Sequence, residues 1–298
     1  MIEIKNVSKC FEKVKALDRL SLTVNDGTVF GLVGSNGAGK STLLRVINGV
    51  FKSDVGEVLI DGENVFENIS IKNKCFFVSD YPYFSNSATI ENTAFLYRKI
   101  YSNWDEEYYK KLCSTFPLNI KDKIINMSKG MQRQSALILA LSTRPKYLFL
   151  DEIFDGLDPV VRQLVKKLIA ADVIDNGMTV MIASHNLREL EDICDYIGLL
   201  HKGGILLEKE LDELKLGIHK VQIAFNDDVD ESIFDELEIV NKSRSGNLFR
   251  LTIRGAEDSF MPQLRALNPA FMEALPLTLE EVFINEMEGA GYDINNIL

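Results

Sequence analysis

The nine residues Gly34-Ser-Asn-Gly-Ala-Gly-Lys-Ser-Thr42 constrain this chain more than any other segment. They follow Val29-Phe-Gly-Leu-Val33, an almost unbroken apolar run of the kind a strand buried on both faces requires. They precede Leu43-Leu-Arg-Val-Ile-Asn-Gly49, which reads as a helix stopped at Gly49. Strand, glycine-rich loop and helix in that order make a phosphate cradle. Glycines let the backbone approach a ligand closely. The N–H groups of Gly34, Ser35, Asn36, Gly37, Ala38 and Gly39, with the positive end of the helix, attract anions. Lys40 can reach terminal phosphates, the Ser41 hydroxyl suits Mg²⁺, and Thr42 shares the same helical turn. A nucleoside triphosphate with Mg²⁺ is therefore the expected ligand of residues 34–42.

A second run, Tyr147-Leu-Phe-Leu-Asp151-Glu152, reads as another buried strand ending in two carboxylates. In open parallel sheets, ligands lie beyond the carboxyl ends of the strands. There Asp151 can hold Mg²⁺, directly or through water, and Glu152 can polarise an attacking water.

Between and around these runs, strands alternate with helices, which implies a mostly parallel sheet with crossover connections. Period-two spacing of Ile2 and Ile4, and of Leu20, Leu22 and Val24, predicts N-terminal strands. Residues 56–62 predict a strand closing on an Asp-Gly turn, and Cys75 to Val78 a short buried strand. Residues 86–143 read as a mainly helical insert. Asp158 and Pro159 look like an N-cap and first helical position. Thr179 to Ala183 reads as a strand, and residues 187–197 as a helix. The resulting expectation is an α/β domain over residues 1–212 and a small α+β domain over 213–298. The second would hold strands at Val221 to Phe225 and Leu248 to Ile253, and helices near 262–267 and 279–287.

The chain has 298 residues, with 33 Lys and Arg against 44 Asp and Glu, a net charge of −11. That argues against a nucleic-acid partner, which asks for a basic surface. Its four cysteines, Cys10, Cys75, Cys113 and Cys194, are spaced neither as a metal knuckle nor as a redox pair. No apolar run approaches the roughly 20 residues of a membrane-spanning helix, so a membrane role is expected to come through a partner.

Three further motifs narrow the class. Met127-Ser-Lys-Gly-Met131 precedes a predicted helix, with Ser128 and Gly130 placed as at a helix N-terminus. Phe154-Asp-Gly-Leu-Asp158-Pro159 follows Glu152, and Ala183-Ser-His185 ends the next strand. In this order the motifs resemble the complete set of the ATP-binding-cassette (ABC) ATPases over about residues 1–210. The tail from Pro276 resembles the closing segment of many prokaryotic exporter-type ABC subunits, and the form Ser-Lys-Gly-Met with residues 101–105 resembles, more narrowly, bacterial ABC-2 and YtrB-like ATPases.

That resemblance implies a P-loop fold of ABC type, with an N-terminal antiparallel β-subdomain and a helical insert. It implies ATP hydrolysis by Glu152 and His185, a stacking role for Phe11 against adenine, and contacts from Ser128, Gly130 and Asp158. It also implies head-to-tail pairing with a second ABC subunit and docking on an integral membrane permease at the cytoplasmic face. The competing reading is a soluble ABC-type switch; a single cassette without sustained heptads or basic segments counts against it. The chain departs from the family pattern in four places. Asp80 stands where a Gln is usual and is kept as a metal-side candidate. Lys129 and Met131 replace a Gly and a Gln, and Ile153 replaces a Pro.

Overall fold

The computed structural model describes residues 1–275, 277–282 and 284. It divides into two compact units, Met1–Glu208 and Lys209–Leu298. The chain runs β1 (Ile2–Phe11), β2 (Val14–Val24), β3 (Val29–Val33), α1 (Lys40–Ile47), β4 (Val55–Ile60), β5 (Glu63–Asn64), α2 (Ile69–Lys72) and β6 (Cys75–Val78). Then follow α3 (Ile90–Ile100), α4 (Glu106–Thr115), α5 (Lys129–Ser142), β7 (Tyr147–Asp151), α6 (Pro159–Asn176), β8 (Thr179–Ser184), α7 (Leu187–Leu190), β9 (Tyr196–His201) and β10 (Gly204–Glu210).

Two sheets build the first unit. An antiparallel one has the order β2-β1-β4-β5, and the Asp61-Gly62 turn closes β4 onto β5 with positive φ at both residues. A larger one has the order β10-β9-β3-β8-β7-β6, and its pairs from β9 to β6 are parallel. Side chains alternate across a strand. Phe30 and Leu32, Tyr147 and Phe149, and Met181 and Ala183 form one core with Ile2, Ile4 and Val7 of β1 and Leu43, Leu44 and Ile47 of α1. The alternate residues Leu148, Leu150, Val180 and Ile182 are just as buried, so β7 and β8 are covered on both faces. This is what makes their sequences continuous apolar runs. Residues 86–143 carry α3, α4, a 3-10 turn at Ile124–Asn126 and α5.

One expectation is corrected. The helix foreseen over residues 187–197 is limited to Leu187–Leu190, and Tyr196 opens β9. Leu187, Leu190, Cys194 and Ile197 do satisfy a helical period. Hydrogen bonding along the edge of β3 prevails, with Phe30 opposite Tyr196 and Val33 opposite Leu199. The Asp195 carboxylate fixes the entry by accepting from the Val29 N–H at 2.7 Å.

The second unit contains α8 (Leu211–Leu216), β11 (Ile218–Ala224), β12 (Ile239–Ser245), β13 (Leu248–Arg254), α9 (Glu257–Ala266) and β14 (Phe271–Leu275). Its sheet has the order β12-β13-β11-β14 with antiparallel pairs, the strand order of a split β-α-β unit. The first crossover carries only a 3-10 turn at Glu231–Phe234. Val221, Ile223, Phe249, Leu251 and Ile253 face Phe260 and Leu264 of α9 to form its core. Helix α9 starts five residues before the expected 262, leaving Pro262 inside it. Residues 279–282 and 284 are helical, whereas Pro276, Phe283 and the expected helical residues 285–287 lie outside the described residues.

Candidate functional site

The carboxyl ends of β3, β7 and β8 meet at one place. Residues 34–39 leave β3 as a loop and α1 begins at Lys40. Gly39 has φ of +114°, and a Cβ there would stand 2.5 Å from the Ala16 carbonyl oxygen, so no other residue fits. Beside the loop lies a cleft of 260 Å³ lined by Ser35, Asn36, Gly37, Gly39, Lys40, Ser41 and Thr42, together with Asp80, Glu152 and Lys202.

Lys40 is buried, and its ammonium donates to the carbonyl oxygens of Gly34 at 2.6 Å and Ser35 at 3.3 Å. It also stands 3.6 Å from Oε1 of Glu152. The other oxygen of Glu152 accepts from Nδ1 of His185 at 2.9 Å. A carboxylate has no proton to give, so that bond requires the imidazole proton on Nδ1. Glu152 thus bridges a lysine from the loop after β3 and a histidine from the end of β8. It does so with φ of +49°, a left-handed conformation that is rare for a residue with a side chain. Strain of this kind gathers at functional sites.

Asp151, one residue earlier, is fully buried, and neither carboxylate oxygen has a hydrogen-bond partner. Burial pushes its carboxyl above the usual range. The Ser41 hydroxyl pulls the other way without reaching bonding geometry, and the charges of Asp80 and Glu152 add to the rise. A buried carboxylate without partners calls for a cation. Among the described residues, no group of three or more His, Cys, Asp or Glu side chains forms a metal cage. Asp151 with Ser41 therefore fits a metal such as Mg²⁺, which takes most of its shell from phosphates and water. Asp80 lines the same cleft, with Oδ1 at 3.8 Å from Nη2 of Arg45 and accepting from the Tyr81 N–H at 2.9 Å.

Other predicted residues lie elsewhere. Phe11 is absent from the cleft lining; its ring packs edge-on against Phe51 at 5.3 Å, with the Lys9 ammonium over it. Val14, Lys15 and Ala16 line the cleft at that end. Ser128 caps α5 by accepting from the Met131 N–H at 3.2 Å, and Asp158 caps α6 by accepting from Val160 and Val161 at 3.0 Å each. Ser128, Gly130 and Asp158 are outside the cleft lining. Sequence reasoning overlooked Lys202 and Arg133. The start of α5, Lys129-Gly-Met-Gln-Arg133-Gln-Ser135, is mostly polar, so nothing in the sequence singles Arg133 out.

The geometry defines a P-loop nucleotide-binding protein whose parallel sheet is interrupted by a helical insert. The ABC transporter family model matches residues 17–155. The ABC transporter ATP-binding protein YtrB of Bacillus subtilis is 32% identical over 289 residues, spanning 97% of this chain and 99% of that protein. The lantibiotic transport ATP-binding protein SrtF of Streptococcus pyogenes is 29% identical over 231 residues, spanning 77% of this chain and 97% of its own. Among solved structures, an ATP-binding subunit of an ABC transporter superposes with a TM-score of 0.66 at 24% identity, covering 72% of this chain and 92% of that one. A dimeric post-hydrolysis state of the cassette MJ0796, bound to ADP and Pi, gives 0.61 at 23% identity, covering 71% and 99%. At such identities the structural likeness is one of fold. The chain belongs to the ABC transporter family, among its ATP-binding, ATP-hydrolysing subunits. Among the described residues, no helix is long and apolar enough to cross a membrane.

Proposed function

We propose that two such subunits close head to tail on ATP and hydrolyse it with Glu152 and His185, driving a separate membrane permease. The bridge from Lys40 through Glu152 to His185, beside the unpartnered Asp151, carries this reading. Residues 34–42 bind the phosphates, and Lys40 offsets their charge. Glu152 orients and polarises the attacking water. His185, held by Glu152 through Nδ1, is kept at the end of β8 beside the terminal phosphate. Ser41 and Asp151 would hold Mg²⁺, with Asp80 on the same side; when bound, the ion neutralises charge on the phosphates. Phe11 serves the adenine end.

Ser128, Gly130 and Asp158 lie outside the cleft of their own chain. That supports a role for them on the nucleotide of a second ABC subunit, the same chain or a related one. ATP then acts as a ligand of the closed pair, and its hydrolysis lets the pair open. The resemblance supports a cytoplasmic subunit at the inner face of the cell membrane, coupled to export. Residues 213–298 would form an accessory domain.

The test is light scattering on a sizing column with Glu152→Gln, with and without Mg·ATP, alongside a hydrolysis assay. The expected result is a dimer that forms only with Mg·ATP and turnover lower by about 10²–10⁴-fold, the range for loss of a general base. Wild-type turnover would assign the base elsewhere. A monomer that binds ATP would require a different second subunit.

A further inference from the structure

The first turns of α5 grip the turn that follows Glu152. A Cβ on Gly130 would stand 2.6 Å from the Gly156 carbonyl oxygen, so the helix start and residues 155–156 are in backbone contact. Arg133, three residues on, is only 6% exposed. Helical side chains lean toward the N-terminus, which brings its guanidinium beside the helix start. Nη1 donates to the Asp155 carbonyl oxygen and stands 3.5 Å from Asp155 Oδ2. Nη2 donates to the Asp80 carbonyl oxygen at 3.1 Å. One planar fork thus joins α5 to two main-chain segments, one after β6 and one after β7. These segments carry Asp80 and continue directly from Glu152.

A cation is not at home near a helix N-terminus, and a buried guanidinium needs partners. The two carbonyl groups supply them. On the other flank, Arg162 of α6 donates to the Leu157 carbonyl oxygen at 3.3 Å and lies 3.7 Å from Glu189 Oε1. Glu189 in turn accepts from the Ser184 hydroxyl at 3.0 Å, next to His185. The turn at residues 155–157 is therefore held from both sides, and Arg133 is the side that ties it to α5.

We propose that Arg133 is a positioning residue that keeps Ser128–Met131 in register with the loops around the nucleotide cleft. The segment offered to a second subunit and the segment that carries Glu152 then move together. The proposal rests on the head-to-tail reading above. It concerns neither ATP binding within one chain nor the chemical step itself.

Arg133→Met and Arg133→Lys, each made in the full-length Glu152→Gln chain, test it by three readouts. These are hydrogen exchange at residues 80–81 and 155–157 without nucleotide, ATP affinity of the monomer, and the ATP needed for half-maximal dimerisation. Arg133→Met is expected to exchange about tenfold faster in both segments, as local protection is lost. It should bind ATP within about twofold of the parent, because Lys40 and its loop are untouched. It should need about tenfold more ATP to dimerise, a typical coupling between linked sites. Arg133→Lys cannot span both carbonyl groups with one ammonium and should fall between. Parental exchange in both segments, or parental ATP dependence of dimerisation, overturns the proposal. If Arg133→Met does not fold, Arg133→Lys decides by the same readouts. Failure of both to fold also overturns it, making Arg133 a residue of stability alone. If Glu152→Gln itself stays monomeric with Mg·ATP, the pairing of two copies of this chain fails instead, and the exchange data still decide Arg133.

Discussion

Carboxylates meet strand β7 at both of its ends, and the two ends are treated in opposite ways. At the Tyr147 end, the phenol hydroxyl lies 2.6 Å from Asp61 Oδ1 and 2.8 Å from Asp26 Oδ1, so its single proton serves two carboxylates. Asp61 also accepts from Lys146 at 2.7 Å and Lys74 at 2.9 Å, and Asp26 from the Met1 amino group. Burial pushes Asp61 up, but the Lys146, Tyr147 and Lys74 donors outweigh it and hold its carboxyl well below the usual range. At the other end, Asp151 is buried with both oxygens unpartnered, and burial pushes its carboxyl up. Three residues, Leu148 to Leu150, separate a saturated charge cluster from a starved one. The saturated end is built to hold the antiparallel sheet against the parallel one. The starved end is built to receive something.

The contrast breaks most sharply at Asp151. Asp151→Asn is expected to lower Mg·ATP hydrolysis by about 10²–10³-fold, the scale of losing several kcal/mol of charge stabilisation at a metal site. Without nucleotide, the same variant should be more stable by about 1 kcal/mol. A buried unpaired carboxylate costs several kcal/mol, and a carboxamide short of partners retains part of that penalty. Calorimetry of the nucleotide-free chain checks this, and a clear fall in melting temperature would mean that Asp151 is structural after all. At the opposite end, Tyr147→Phe should cost about 1–3 kcal/mol, because two carboxylates lose a buried donor. Turnover per folded molecule should stay within about twofold, since the hydroxyl sits at the far end of the strand from Glu152. A large loss of turnover there would join the two ends that the structure separates.

The starved end was legible in the sequence, and the saturated end was not. Asp151 and Glu152 close an apolar run, and residues 34–42 keep a fixed spacing inside a strand, loop and helix. Local order therefore places them. Tyr147 meets Asp26 and Asp61 across 121 and 86 residues, and no spacing announces such a meeting. The same holds for the fold. Strands β3, β6, β7 and β8 are continuous apolar runs and are readable. Strand β12, with Asn241-Lys-Ser-Arg-Ser245 exposed, has no alternation to read and exists because β13 pairs with it. Strand β9 was hidden behind a helical period that its pairing with β3 overrides. Arg133 sits among other polar residues at the start of α5, and its acceptors are backbone carbonyls, which a sequence does not display.

The smallest effect is the most discriminating, because the two ends must respond to acid with opposite sign. Unfolded aspartates titrate near about 3.9. Asp61 is held below that in the fold, so its stabilisation is complete above about pH 5 and drains as pH falls through the unfolded value toward the folded one. Asp151 is held above it, so the fold carries a penalty at neutral pH that is relieved as pH falls through the raised folded value. Urea midpoints of the parent, Asp151→Asn and Tyr147→Phe, taken in steps from pH 7 to pH 4, separate the two. The advantage of Asp151→Asn over the parent should shrink first, at pH values above the ordinary carboxylate range. The deficit of Tyr147→Phe should hold to about pH 5 and shrink only below it, as Asp61 takes up its proton. Differences between variants cancel the titration of all other groups. Two gaps closing together at the same pH would mean that both ends of β7 share one environment, and the division between a holding end and a receiving end would fall.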